Sequence, residues 1–456
     1  MYRVVDGNQN EAPDVQEFID LLNTDDPLFD KKSDLIVGRA PGRLDLMGGI
    51  ADYSGSHVLE FPIAEATFAA VQLSASRQLH IVTVLAGERS TVSIATDLLG
   101  GFEYDAAREY FQRNTEISWA AYVAGVFLVL MRERGLNFAS GANILISSHV
   151  PLGKGVSSSA ALEVAVMQAV TEAFDIKIDG HDKALLCQKV ENLVVGAPCG
   201  VMDQMAAVFG ERDRLLLLLC QPAEIQRMIT LPRQLRLWGL DSGIRHSVSG
   251  ADYGSVRAGA FMGARIIADL KADFSERRYL ASISLSEFES EYLEQLPERM
   301  SGETFLARYQ STSDPVTSID PRKTYAVRVP TAHPVYENAR VQRFVELLEL
   351  NDAYDVLGEL MYESHHSYTK LGLNSSGTDL LVELVRREGP GAGLFGAKIT
   401  GGGSGGTVAV LGDQTSRAAV ERVAASYAEE TGHRPYLFSG SSSGSLAFGH
   451  LRLRCE

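Results

Sequence analysis

Over residues 160–174 the chain is apolar almost all the way round a helix. A helix without a polar face cannot lie on a protein surface, so this one must be enclosed by other layers. The segment that feeds it is Pro151-Leu152-Gly153-Lys154-Gly155-Val156-Ser157-Ser158-Ser159-Ala160-Ala161. Two glycines let the backbone come close to an anion, and three hydroxyls and a lysine surround the point where the helix begins. Free N–H groups and the positive end of the helix dipole converge there, which suits a phosphate. The spacing is not that of a Walker A loop, G-x-x-x-x-G-K-[ST]. The competing reading is a serine-rich helix start that caps itself.

With 456 residues the chain exceeds one ordinary core, and two domains are expected. Its 58 acidic against 42 basic residues give a net charge of -16, which argues against a nucleic-acid or anionic-membrane surface. The four cysteines, Cys187, Cys199, Cys220 and Cys455, form no C-x-x-C pair and no zinc pattern. Reduced thiols and a cytoplasmic location are the expectation. The leucine run 215–219 is too short to span a bilayer, and residues 1–34 contain no apolar signal core.

Asp14 and Glu17 have capping-box spacing ahead of Val15, Phe18, Ile19 and Leu22, which predicts a docking helix. Residues 35–37 predict a strand that turns at Pro41-Gly42, and residues 58–84 predict short strands. Helices are expected over 119–134, 181–195, 253–272, 341–350 and 354–364, and strands over 143–146, 215–219 and 235–240. Residues 275–327 are mixed and polar, as in a helical insertion with loops. Residues 398–411 form a second glycine-rich turn that enters the apolar strand Thr407-Val408-Ala409-Val410-Leu411. The division expected is an extension over 1–33, an N-terminal domain over 34–222 and a C-terminal domain over 223–456.

Phosphoryl transfer needs positioning, a metal, positive charge and a group that orients the attacking hydroxyl. Ser157, Ser158 and Ser159 can donate to phosphate, and one of them can ligate a cation. Glu191 lies mid-helix in an apolar neighbourhood, which suits either a metal or a salt bridge to a nearby lysine. Asp203 ends a turn-rich stretch, Gly196-Ala197-Pro198-Cys199-Gly200-Val201-Met202, and reads as a proton acceptor or as a helix N-cap. Arg43 can pair with a carboxylate and neutralise a phosphoryl group, or form an ordinary surface ion pair. The run Gly401-Gly402-Gly403-Ser404-Gly405-Gly406 allows close backbone approach. Asp52-Tyr53-Ser54-Gly55 and Tyr253 suit a polyol or a structural turn.

Together these residues resemble the GHMP kinase family. Gly38-Arg39-Ala40-Pro41-Gly42-Arg43-Leu44-Asp45-Leu46-Met47-Gly48 resembles its first motif, the loop at 151–161 its second and residues 398–406 its third. The fold implied is α+β with two domains, the N-terminal one ribosomal-S5-like and the C-terminal one ferredoxin-like. Val190-Glu191-Asn192, residues 196–204, and Asp241-Ser242-Gly243-Ile244-Arg245-His246-Ser247 with Tyr253 resemble the galactokinase branch. That resemblance implies Asp203 and Arg43 as the catalytic pair and Ser159 with Glu191 as Mg²⁺ positions. It implies ATP contacts from Pro151, Gly153, Lys154, Gly155, Ser157, Ser158, Ser159, Gly402 and Gly403. Sugar contacts fall to Arg43, Gly49, Ile50, Asp52, Gly200, Asp203 and Tyr253, and Trp119 and Tyr122 lie where the family often packs the base, or in the core.

One departure bears on the acceptor. Where galactokinases carry Glu-His, the chain has Gly49 and Ile50, while Asp52-Tyr53 is kept. L-arabinopyranose has the stereochemistry of galactose without the C6 hydroxymethyl, and losing polar C6 partners fits such a substrate. The run Met47-Gly48-Gly49-Ile50-Ala51-Asp52-Tyr53-Ser54-Gly55 is similar to the kinase part of L-arabinokinases. The expectation is an ATP-dependent sugar 1-kinase acting on L-arabinose. A galactokinase with an altered C6 pocket is the alternative, and a non-catalytic sugar and ATP sensor is the third reading. Monomer and dimer both remain open.

Overall fold

The computed structural model describes residues 1–8, 12–24, 28–85, 88–244, 253–271, 279–350 and 353–456. Its larger sheet has nine strands. The main path runs Tyr2–Asp6, Leu451–Cys455, Leu35–Met47, His57–Ser74, Gly141–Ser148, Gln78–Leu85 and Glu88–Ala95. Arg214–Leu219 also pairs with His57–Ser74 and carries Glu224–Thr230 on its other edge. All ladders in this sheet are antiparallel except that between Gln78–Leu85 and Gly141–Ser148.

The strand His57–Ser74 has two partners on one side. His57 to Glu60 pair with 216–219, and Thr67 to Ser74 pair with 141–148. The loop 149–157 leaves the sheet at the interval between them, held by His149 N–H to the Ala66 carbonyl at 3.0 Å. The helix Ser158–Ala173 then lies under the sheet against Leu35–Met47 and His57–Ser74. Its valines are fully buried, as its all-round apolarity requires. Burying each valine contributes about 1.5–3 kcal/mol over leaving it exposed.

Arg214–Leu219 and Leu235–Asp241 sit in different sheets. The second sheet is four-stranded and antiparallel, in the order Leu394–Ile399, Thr407–Asp413, Leu235–Asp241 and Leu437–Ser439. The helices Ser376–Glu388 and Arg417–Thr431 share one apolar cluster with these strands. Helix Tyr354–Leu371 packs on Leu394–Ile399, and Arg328–Leu350 packs between it and Tyr253–Leu270. Between the first two lie short helical turns, the helix Gly302–Tyr309 and a small ladder of Arg299–Ser301 with Thr324–Ala326.

Two local expectations are corrected. Pro41-Gly42 does not turn the chain; Leu35–Met47 continues through it as a strand with a register shift between Pro41 and Arg43. A bulge absorbs the missing proline N–H. Asp14 does not cap its helix; its carboxylate instead takes a forked ion pair from Arg39, with the shortest contact at 2.8 Å. Val15, Phe18, Ile19 and Leu22 are buried, so the helix Val15–Leu22 docks by its apolar face. Among the described residues one helical stretch, Thr115–Arg134, is long and apolar enough to cross a membrane, and 56% of its apolar window is buried inside the fold.

Candidate active site

The bulge at Pro41 turns Arg43 toward the loop at 151–157. Its backbone N–H donates to the Val156 carbonyl at 3.1 Å. Its guanidinium, 3% exposed, donates from Nη1 to the Gly155 carbonyl at 2.6 Å. Nε and Nη2 both donate to Asp203 Oδ1, at 3.0 and 2.7 Å. Burial works against the charge on Arg43, but Asp203, Glu60 and Asp45 more than offset it and hold the guanidinium firmly ionised. Asp203 stands in the first turn of the helix Met202–Phe209, where the helix dipole also favours a carboxylate.

Residues 151–157 do not form a self-capping helix start. Ser157, at the N-cap, adopts a left-handed backbone (φ 60°) and makes no side-chain cap bond. Its buried hydroxyl has no partner within the protein. Lys154 donates to Asp241 Oδ2 at 2.7 Å, tying this loop to the second sheet. The turn at 401–406 locks onto it backbone to backbone. A Cβ on Gly401, whose φ is +68°, would stand 2.7 Å from the Gly155 carbonyl oxygen. One on Gly406 would stand 2.7 Å from that of Lys154. Glycine is what allows the two loops to touch. Gly402 and Gly403 belong to the same turn, facing Tyr253 and Leu373 respectively. In the first loop Pro151 is half-buried and Gly153 is exposed.

Glu191 lies on the π-helical turn Val190–Val195 and is buried. It accepts from Gln204 Nε2 at 2.9 Å and is hydrogen-bonded to the Ser159 hydroxyl. Burial, then the charge of Asp203, pushes its carboxyl up to about 7. Glu163 joins it, fully buried, with Oε2 3.3 Å from the same Gln204 amide and Oε1 without a partner. Burial and Glu191 push Glu163 well above the usual carboxylate range. Two buried acids sharing one amide donor form a site that gains from a cation.

Asp52 opens a short 3₁₀ turn, Asp52–Ser54, and is 4% exposed. Burial and Asp203 raise its carboxyl to about 6. A Cβ on Gly200 would lie 1.8 Å from Asp52 Oδ2, so only glycine lets this acid approach the turn before Asp203. Tyr253 packs edge-on against Tyr53 with ring centroids 6.0 Å apart, and Arg257 lies over the Tyr53 ring at 5.1 Å. Ile50, at φ +64°, is buried in the apolar cluster of Tyr53, Tyr368 and Ile399. Gly49 faces Tyr368 and Asp45. Arg245, His246 and Ser247 lie outside the described residues.

The structure therefore gathers Arg43, Asp203, Asp52, Gly200, Ser159, Glu191 and both glycine turns, with Tyr253 at the rim. It adds residues that sequence reasoning passed over. Glu60 is fully buried, with Oε2 3.2 Å from Arg43 Nε. That N–H is spent on Asp203, so neither Glu60 oxygen has an aligned donor. Asp45 and Lys398 form an ion pair at 2.8 Å with neither side chain exposed. Glu60 in Val58-Leu59-Glu60-Phe61 and Glu163 in an apolar helix were visible signals: a lone acid in a run that must be buried needs a partner.

Comparison with known proteins identifies the family. Residues 121–211 match the GHMP kinases N terminal domain and residues 344–431 the GHMP kinases C terminal domain. Residues 27–73 match the galactokinase galactose-binding signature. The chain is 43% identical to an L-arabinokinase of Arabidopsis thaliana over 94% of its own length and 47% of that protein. It thus spans about half the length of that relative. It is 31% identical to a galactokinase of Chloroflexus aggregans, covering 87% of the chain and 89% of the relative. In fold it is similar to Lactococcus lactis galactokinase complexed with galactose, with TM-score 0.73, 21% identity, and 94% and 99% of the two chains covered. Methanococcus jannaschii mevalonate kinase is more distant, with TM-score 0.56, 13% identity, and 90% and 98% covered.

Proposed function

The chain belongs to the GHMP kinase family, and on that footing we propose that it transfers the terminal phosphoryl group of ATP to the anomeric hydroxyl of a sugar, with L-arabinose the preferred acceptor. The observation that carries the reading is Arg43, which joins Asp203 to the Gly155 carbonyl of the phosphate loop. One guanidinium thus touches both the acceptor-side acid and the donor-side loop.

In this reading the sugar lies between Asp203 and Asp52. Asp203 Oδ1 is occupied by Arg43, so Oδ2 meets the anomeric hydroxyl, orients it and accepts its proton as the bond to phosphorus forms. Arg43 fixes the orientation of Asp203 through Oδ1 and offsets the charge spread over the transferring group. Ser157 through Ser159 donate to phosphate oxygens, and the unpartnered Ser157 hydroxyl is available for this. Ser159 and Glu191 would hold Mg²⁺, which neutralises phosphate charge when bound. The orphaned oxygen of Glu163 beside them supports a cation there. The same proposal includes the site residues named above, the domain division near 222, and a cytoplasmic location, supported by four free cysteines.

Galactokinase activity is the second reading, favoured by the match of residues 27–73 to a galactose-binding signature. The intact Arg43–Asp203 pair speaks against a sensor without turnover. The test is ADP release with L-arabinose, D-galactose, L-fucose and D-fucose. The expected order puts L-arabinose first in kcat/KM. Galactose in first place would transfer the assignment to the second reading, and no ADP release with any sugar would overturn both.

A further inference from the structure

The glycine at position 49 faces a filled volume. A Cβ placed on Gly49 would stand 2.1 Å from the Tyr368 hydroxyl and 2.2 Å from Asp45 Oδ2. No side chain fits there without moving both. Tyr368 comes from the helix Tyr354–Leu371 and is fully buried. Its hydroxyl donates to the Gly401 carbonyl at 2.9 Å, and Asp45 Oδ2 lies 3.4 Å away. Lys398 lies 5.3 Å over its ring and pairs with the same Asp45 oxygen. His333 crosses the ring edge-on and meets the Gly49 carbonyl at 3.0 Å through Nε2.

This cluster borders the reaction centre. Gly401, which accepts from Tyr368, has its Cβ direction 3.2 Å from Arg43 Nη2. The charges of Arg43 and Asp52 both act on the Tyr368 hydroxyl. Gly49 is three residues before Asp52 in the same buried turn region.

The geometry points to Tyr368 as the residue that sets acceptor size, with Gly49 as its necessary counterpart. This rests on the sugar-kinase reading above. The ring fills the volume behind Gly49, three residues from Asp52, with a hydroxyl already committed to Gly401. An exocyclic hydroxymethyl directed here finds its space already taken by the Tyr368 hydroxyl and Asp45 Oδ2, the two atoms that a Cβ on Gly49 would strike. A pentopyranose, which lacks that group, does not reach it. Gly49 and Tyr368 are therefore one device: the missing side chain at 49 is occupied volume supplied by position 368.

The experiment compares kcat/KM for L-arabinose and D-galactose in the wild type, Tyr368→Leu, Tyr368→Phe, Gly49→Glu and Gly49→Glu with Tyr368→Leu. Tyr368→Leu should raise the galactose-to-arabinose ratio at least tenfold, mainly through a lower KM for galactose. Tyr368→Phe, which removes only the hydroxyl, should shift it in the same direction by a few fold and serves if the leucine variant does not fold. Gly49→Glu alone should lose activity on both sugars, and Tyr368→Leu should restore it. Equal losses on both sugars in the Tyr368 variants, or no rescue of Gly49→Glu, would overturn the assignment. A wild type that phosphorylates neither sugar would instead overturn the underlying reading.

Discussion

Arg43 and Asp203 meet across 160 residues of chain, with Nη2 2.7 Å from Oδ1 and Nε 3.0 Å from the same oxygen. The pair is asymmetric. Arg43 is 3% exposed at its side chain and Asp203 20%. The arginine is embedded as a fixed charge, while the aspartate faces the opening with one oxygen to spare.

Asp203→Asn keeps the shape of the site and removes the proton acceptor. Turnover should fall by about 10²–10⁴-fold, the usual worth of a positioned general base. ATP binding, followed by fluorescence titration, should survive. Near-normal turnover would sink the role given to Asp203.

Arg43→Met should be costly for folding as well as for chemistry. Removing one partner of a buried pair costs about 3–5 kcal/mol. Arg43 lowers the Glu60 carboxyl against the stronger upward push of burial and Asp45, so without it Glu60 escapes by binding a proton. Thermal melts should show a larger loss at pH 8 than at pH 6. Adding Glu60→Gln should recover stability without turnover; recovery of both would mean that Arg43 has no part in the reaction.

Stability should carry a signature of Asp52 and Glu191. Their folded-state carboxyls stand at about 6 and about 7, above the values near 4 expected of an unfolded chain. Proton binding then favours the folded state. The resulting stabilisation is complete below pH ~4 and is lost as pH rises through 6 and 7, on the order of 3 kcal/mol per group. Asp52→Asn and Glu191→Gln should each stabilise the ligand-free protein more at pH 8 than at pH 5 in urea melts. Equal effects at both pH values would show that these acids are not held protonated.

Gly401→Ala forces a methyl group to within 2.7 Å of the Gly155 carbonyl and a left-handed backbone onto alanine. The backbone term alone costs roughly 1–2 kcal/mol. Because the two glycine turns touch at this point, KM for ATP should rise about tenfold while the helix content by circular dichroism is unchanged. Unaltered ATP kinetics would show that the contact between the turns is dispensable.

Much of this site was legible because its parts are local. The loop at 151–157 and its buried helix announce themselves by composition, and Asp52, Glu191 and Asp203 stand out as acids among apolar residues. What was not legible is pairing over distance. Asp14 has capping-box spacing, but a buried Arg39 claims its carboxylate at 2.8 Å. Nothing near Gly49 in the chain tells that Tyr368 fills its space, since that contact depends on how the Tyr354–Leu371 helix packs. The substitution of Gly49 for an acid looks like an absence in sequence and is an occupied volume in three dimensions. Pro41-Gly42 misled for the opposite reason: a strong local turn signal was overruled by the ladder to His57–Ser74.

The pairing of Tyr2–Asp6 with Leu451–Cys455 sets a timetable for folding. Leu451–Cys455 lies between Tyr2–Asp6 and Leu35–Met47, so that edge of the large sheet closes only when segments far apart in sequence meet. Until then Phe18 and Phe68, which stack at 4.7 Å in the finished protein, lack Phe448, Leu451 and Leu453 from their cluster. That seam therefore stays uncovered until a contact of very long sequence separation forms, which makes this closure a slow step of folding.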